Sequence, residues 1–208
     1  MLTVTKLEPQ KKIPQRLNVY LNGEFAFGVS RAVAPWLEEG NELSQQKINA
    51  LQTEDQVEQA FQRALHFLSF RVRSEKEIRL NLQKHQTPEN IIDPVLDRLR
   101  ERTLVDDRDF AQQWIENRNR FHPRGKRALS SELYRKGISD QIIEETLNDL
   151  DETELAYKFA RKKVDKLKTL DKSSFREKMV GYLTRRGFDY GLSNEVVRDL
   201  WIELEKQS

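Results

Sequence analysis

The residues that could carry catalysis are few and scattered. His66, His85 and His122 are far apart and never recur at the spacing that puts two metal ligands on one helix face. There is no cysteine, so neither a thiolate site nor a disulfide framework is possible. Gly125-Lys126 has the Gly-Lys ending of a phosphate loop. Arg120 stands where that loop needs glycine, however, and Arg127 where it needs a hydroxyl for magnesium. Neither Gly-x-Gly-x-x-Gly nor Gly-x-Ser-x-Gly occurs. Asp106, Asp107 and Asp109, or Glu144 and Glu145, offer carboxylates to a cation or to a metal-dependent nuclease. Helix caps and a solvated face account for them more simply. No catalytic residue, metal site or cofactor is expected.

Cations are the richer signal. Residues 60–136 hold 17 Lys/Arg against 11 Asp/Glu, and 158–186 hold 11 against 3. Between them, 137–157 hold 7 acidic residues and no basic one. Two basic blocks around an acidic one suit an anionic partner met along a stripe. The candidates are Arg71 and Arg73; Arg124, Lys126, Arg127, Arg135 and Lys136; Lys158, Arg161, Lys162 and Lys166; and Arg185 and Arg186. Helix C-termini favour cations through the backbone dipole, which accounts for Arg135, Lys136, Arg185 and Arg186 structurally. Arg124, Lys126 and Arg127 stand at a helix start, where that argument fails, so they weigh more towards binding an anion. Contacts to phosphate would give affinity without sequence choice. No helix is rich in the groups that read base edges. Trp36, Trp114 and Trp201 fall on apolar faces and are expected in cores.

The elements that must position these cations repeat. Leu82, Leu133 and Leu183 are spaced by 51 and then 50 residues. Ile78, Leu129 and Met179 precede them by four; Leu99, Leu150 and Leu200 follow by seventeen. A period of this size marks a tandem helical array. Capping patterns punctuate it at Thr53-x-x-Gln56, Ser74-x-x-Glu77, Asp151-x-x-Glu154 and Ser174-x-x-Glu177, with Thr87-Pro88 and Asp106-Asp107 as further starts. Gly137 and Gly187 sit where helices end left-handed, and Gln86 holds the same place in the first repeat.

The spacing predicts helices over 54–71, 74–85 and 88–101; 107–119, 125–136 and 140–150; and 152–168, 174–186 and 193–205. Residues 1–30 read as strands, with a hairpin turning at Asn22-Gly23 and Thr3–Leu7 as a third strand. Ser30–Glu39 and Leu43–Leu51 read as short helices. The fold expected is mainly α: three tandem three-helix repeats (53–103, 104–150, 151–208) in an elongated curved array, preceded by a β-hairpin unit over 1–52. No apolar run approaches ~18 residues, so no membrane segment is expected.

Four blocks carry a family resemblance. They are Ala64-Leu-x-x-Leu68-x-x-Arg71-x-Arg73-Ser74-Glu75-x-Glu77-Ile78; Leu104-Val-Asp106-Asp107-x-x-Phe110-Ala111 with Arg118 and Gly125; Glu132-Leu133-x-x-Lys136-Gly137-Ile138; and Leu183-x-Arg185-Arg186-Gly187-Phe188. In this order the chain resembles the RecX regulatory proteins over residues ~60–200. The resemblance implies a cytoplasmic, non-enzymatic monomer that binds the RecA recombinase filament in its groove. It also implies restraint of filament extension, strand exchange, ATP hydrolysis and coprotease activity, with single- or double-stranded DNA as a further partner. The matched basic positions are Arg71, Arg73, Lys136, Arg185 and Arg186. An autonomous DNA-binding array is the alternative.

Overall fold

The computed structural model describes residues 1–207. The chain divides into two compact units, one closing at Val105 and one opening at Asp106.

The first unit begins with an antiparallel sheet of β1 (Leu2–Pro9), β2 (Arg16–Leu21), β3 (Glu24–Ser30) and β4 (Glu42–Leu43), in the order β3-β2-β1-β4. Asn22 (φ 49°) and Gly23 (φ 91°) turn the predicted hairpin, since both central residues of such a turn need positive φ. Ser30 ends β3, and residues 31–39 form turns and irregular backbone rather than the expected helix; Pro35 supplies no N–H and holds Ala34 out of the helical region.

A single helix, α1 (Gln45–Leu68), replaces the two helices expected over 43–51 and 54–71. Ser44 caps it by accepting from the Lys47 N–H, while the Thr53 hydroxyl turns back to the Asn49 carbonyl inside the helix. The boundary expected at residues 52/53 therefore lies within α1. Asp55, 3% exposed, ties this helix to the sheet. It accepts from Arg16 Nη1 at 2.9 Å, Arg16 Nη2 at 2.7 Å and the Ser30 N–H at 2.8 Å. α2 (Glu75–Lys84) and α3 (Glu89–Glu101) complete this unit; Ser74 caps α2 as expected, whereas α3 is preceded by Pro88, not Thr87.

The second unit holds α4 (Asp107–Phe121), α5 (Lys126–Arg135), α6 (Asp140–Asn148), α7 (Glu152–Val164), α8 (Lys172–Arg185) and α9 (Tyr190–Gln207). Asp106 and Asp151 are N-caps as the sequence indicates. α8 starts earlier than expected, because Asp171 accepts from the Ser173 and Ser174 N–H groups and so caps ahead of Ser174. Each trio encloses its own apolar core, and Leu150 packs against the cores of both trios in this unit.

Triplication is written into the hydrogen bonds. Leu82, Leu133 and Leu183 are all fully buried. Their carbonyls accept from the N–H groups of Thr87 (3.1 Å), Ile138 (3.1 Å) and Phe188 (3.3 Å), each five residues on. The residue before each donor is left-handed: Gln86 at φ 60°, Gly137 at 87° and Gly187 at 86°. This is one helix-ending motif built three times. Gln86 bears a Cβ penalty that the glycines avoid, so Gln86→Gly is expected to stabilise the first unit by about 0.5–1 kcal/mol. A thermal melt that falls instead of rising would contradict it.

Candidate functional site

The site is built where two glycines meet. The Gly125 N–H donates to the Arg186 carbonyl at 3.0 Å, placing the turn before α5 against the turn that ends α8. A Cβ on Gly125 would lie 2.2 Å from the Gly187 carbonyl oxygen, and one on Gly187 would lie 2.4 Å from Ala128 Cβ. Only glycine lets these backbones touch. Gly125 gives α5 no side-chain cap, and Glu152 of α7 supplies one, accepting from the Lys126 N–H at 2.8 Å. The start of α5 and the end of α8, which carry Lys126-Arg127 and Arg185-Arg186, thereby meet through their backbones, while the Lys126 and Arg127 side chains line the α5–α6 groove with Asp140 and Glu144.

Aromatic rings order the neighbouring cations. Arg185 lies 5.1 Å from the Tyr182 ring centre and Lys163 lies 5.9 Å from it. Arg186 lies 5.2 Å and Lys163 6.0 Å from the Phe159 ring. Cations over ring faces are held by the ring quadrupole without being neutralised. Among the described residues, Arg127, Lys163, Arg185 and Arg186 have no carboxylate partner. Lys163 and Tyr182 were not singled out from the sequence; the signal was Lys163 standing four residues after Phe159, on the same helix face.

The other candidates are distributed differently. Lys158, Lys162 and Lys166 are exposed on and just after α7, and Arg135 is exposed in the last turn of α5. Arg161 reaches Glu203 at 3.4 Å. Lys126 Nζ lies 3.5 Å from the Asn148 carbonyl, and Lys136 lies 4.9 Å from the Trp114 ring. In the first unit, Arg71 forks onto Glu77 at 2.9 and 3.0 Å, so part of its charge is used at home. Arg73 stacks 3.9 Å from the Phe67 ring, its Nε buried without a hydrogen bond. Burial, and then the charge of Arg71, lower its pKa.

Arg124 turns inward. It lies 2.8 Å from Glu132, which is 7% exposed and also accepts from Arg118 Nε and Trp114 Nε1 at 2.8 Å each. Burial would raise the Glu132 carboxyl. Hydrogen bonds from Arg118 and Trp114, with the charges of Arg118 and Arg124, outweigh that and hold it below the usual carboxylate range. An internal carboxylate thus accounts for a cation at this helix start.

Asp106, Asp109 and Glu145, weighed for metal chemistry, have structural partners. Asp106 accepts from the Arg108 and Asp109 N–H groups, and Glu145 pairs with Arg108 and Gln141. Among the described residues, no three His, Asp or Glu side chains are grouped to hold a metal ion. His85 and His122 stand at helix C-caps, and His66 packs edge-on against Phe70. Trp36, expected in a core, is exposed beside Lys47.

Taken together, these features define a helical-repeat protein with a cationic, aromatic-studded surface. Comparisons with known proteins agree domain by domain. The chain matches the regulatory protein RecX N-terminal domain over 2–44, and the RecX first, second and third three-helix domains over 60–99, 106–147 and 150–197. It is 33% identical to regulatory protein RecX of Bacillus velezensis, covering 99% of this chain and 80% of that one. It is 30% identical to regulatory protein RecX of Clostridioides difficile, covering 95% of each. A crystal structure of regulatory protein RecX superposes with a TM-score of 0.80 at 30% identity, covering 96% of this chain and 100% of that one. The chain belongs to the RecX family of regulatory proteins. No helix among the described residues is long and apolar enough to cross a membrane.

Proposed function

We propose that this protein is a non-enzymatic, cytoplasmic negative modulator of the RecA recombinase. It binds RecA and RecA–DNA filaments along the groove and restrains filament extension, strand exchange, ATP hydrolysis and coprotease activity during DNA repair and the SOS response. Family membership supplies the regulatory role. The single observation in the molecule that supports it is the cluster of Lys163, Arg185 and Arg186 around the Phe159 and Tyr182 rings, with no carboxylate partner among the described residues, where the third repeat meets the start of α5. Cations spread over consecutive repeats meet an extended anionic partner at several weak points that sum to tight binding. Binding restrains a filament only through unequal affinity for its states.

The test is a strand-exchange and ATPase titration against RecA. Inhibition well below one molecule per recombinase subunit supports filament capture; inhibition that follows only DNA saturation would refute it. That second outcome favours an autonomous, sequence-independent DNA-binding array, a reading for which Tyr182 is the specific observation. An exposed ring among cations suits base stacking on single strands.

Reversing Arg127, Arg185 and Arg186 together to glutamate is expected to weaken binding to filaments at least tenfold. It should also flatten the salt dependence, because every phosphate no longer neutralised takes away about one unit of slope. Unchanged affinity across a salt titration would remove these residues from the interface.

A further inference from the structure

The third repeat carries a second feature that the cationic surface does not use. Between α8 and α9 lies an open groove of about 680 Å³. Its apolar surface is that of half-buried Trp201 and of Ile202, 43% exposed, with fully buried Phe175 and Val197 beneath. Lys172 and Arg176, one helical turn apart, line the α8 wall, and Arg198 lines the α9 wall. Such a volume is that of a binding site for a few side chains.

The chemistry of the occupant follows from which polar atoms are free. Asn194 Oδ1 accepts from Arg176 Nε at 3.2 Å and Nη2 at 3.0 Å, and its Nδ2 donates to the Tyr190 carbonyl at 2.8 Å. Trp201 Nε1 donates to Glu205 at 2.7 Å. The side-chain amide and indole N–H that could read a base or sugar are thus already committed, so the floor rewards only an apolar group. The rim has the opposite character. Among the described residues, Glu195 is the one carboxylate that lines the groove with Lys172, Arg176 and Arg198, although Arg198 also approaches Asp199 at 3.2 Å. Cations on both walls match several carboxylates spaced along a chain better than one headgroup. An apolar anchor flanked by carboxylates describes an acidic protein segment.

We infer that the α8–α9 groove docks an acidic segment of a partner protein, with one bulky apolar side chain seated against Trp201 and Ile202. The site lies at the start of α8, whereas Arg185 and Arg186 stand at its end, roughly 20 Å away along the helix. Its occupation leaves the cationic surface free, and it stands whether or not RecA is the regulated partner.

The experiment uses the full chain and a fluorescein-labelled peptide of about ten residues, Asp and Glu around one central phenylalanine, read by anisotropy. A second peptide has alanine in place of the phenylalanine. The expected result is at least tenfold tighter binding of the phenylalanine peptide. Ile202→Glu should abolish that preference, Lys172→Glu with Arg176→Glu should weaken both peptides, and Arg185→Glu with Arg186→Glu should change neither preference nor affinity. Circular dichroism on each variant checks that the fold is kept; Lys172, Arg176, Arg185 and Ile202 are exposed and Arg186 is half-buried. Equal binding of the two peptides, no saturable binding, or loss confined to the Arg185 and Arg186 variant would overturn the inference. So would Ile202-dependent displacement by oligothymidylate or by oleate, which would assign the groove to a nucleic acid or a lipid.

Discussion

Gly187→Ala is expected to destabilise the second unit by about 2–5 kcal/mol. Two costs add. A left-handed backbone with a Cβ costs roughly 1–2 kcal/mol, and Gly187 sits at φ +86°. The new methyl also meets the Ala128 nitrogen at 2.6 Å as well as its Cβ, and forcing atoms into packed space costs about 1–3 kcal/mol. Gly40 is the control: at φ +92° it bears the same conformational cost but has nothing within 4 Å of a Cβ. Gly40→Ala should therefore lose only about 1–2 kcal/mol. Denaturant titrations compare the two directly, and equal losses would mean that the glycine contact does not confine the backbone. Because Gly187 directly follows Arg185 and Arg186 at the contact with α5, Gly187→Ala should also weaken binding to anionic partners at temperatures where the variant remains folded.

That junction shows which features the sequence exposed and which it hid. The threefold repeat was legible because it is a local pattern said three times: Leu82, Leu133 and Leu183 each end a helix in the same way. The hairpin at Asn22-Gly23 was legible for the same reason, one short motif with a single backbone solution. Misreadings arose where a local signal met a stronger neighbour or a distant partner. Thr53-x-x-Gln56 has the form of a cap, yet the helix runs through it. The reason lies in Asp55, whose partners Arg16 and Ser30 come from the sheet. Ser174 lost its capping role to Asp171, three residues earlier. Residues 31–39 turn around Pro35 instead of forming a helix.

The site was half legible for a related reason. Types and rough positions of the cations are visible in the chain, but pairing is not. Arg124 was distinguished from its neighbours by nothing in sequence except Glu132, eight residues on, and Glu132 was indistinguishable from a solvated helix charge. Gly125 and Gly187 were readable as punctuation, not as each other's partners. Their meeting sets the backbones of two separate basic runs against each other. Contact between distant residues, not residue type, decides which cations remain available to a ligand.

Glu132 makes this distinction measurable. Glu132→Ala removes the shared acceptor of Arg118, Arg124 and Trp114, leaving two guanidinium groups unpaired beside the core of the second repeat. Breaking a buried pair costs about 3–5 kcal/mol, and about 3 is expected here because both arginines keep roughly a third of their side chains in water. Since the folded-state pKa of Glu132 is depressed, its contribution is fully present above the unfolded value near 4.5. It is lost as pH falls through the lower folded value. Wild type should thus lose stability below about pH 4.5 more steeply than Glu132→Gln, which cannot titrate. A parallel acid profile for the two would show that the carboxylate is not held by its arginines. The same network separates two arginines that look alike in the sequence. Arg124→Ala should lower stability and leave binding per folded molecule unchanged, because its charge is spent on Glu132. Arg127→Ala should do the reverse, weakening binding to anionic partners with a melting temperature close to wild type.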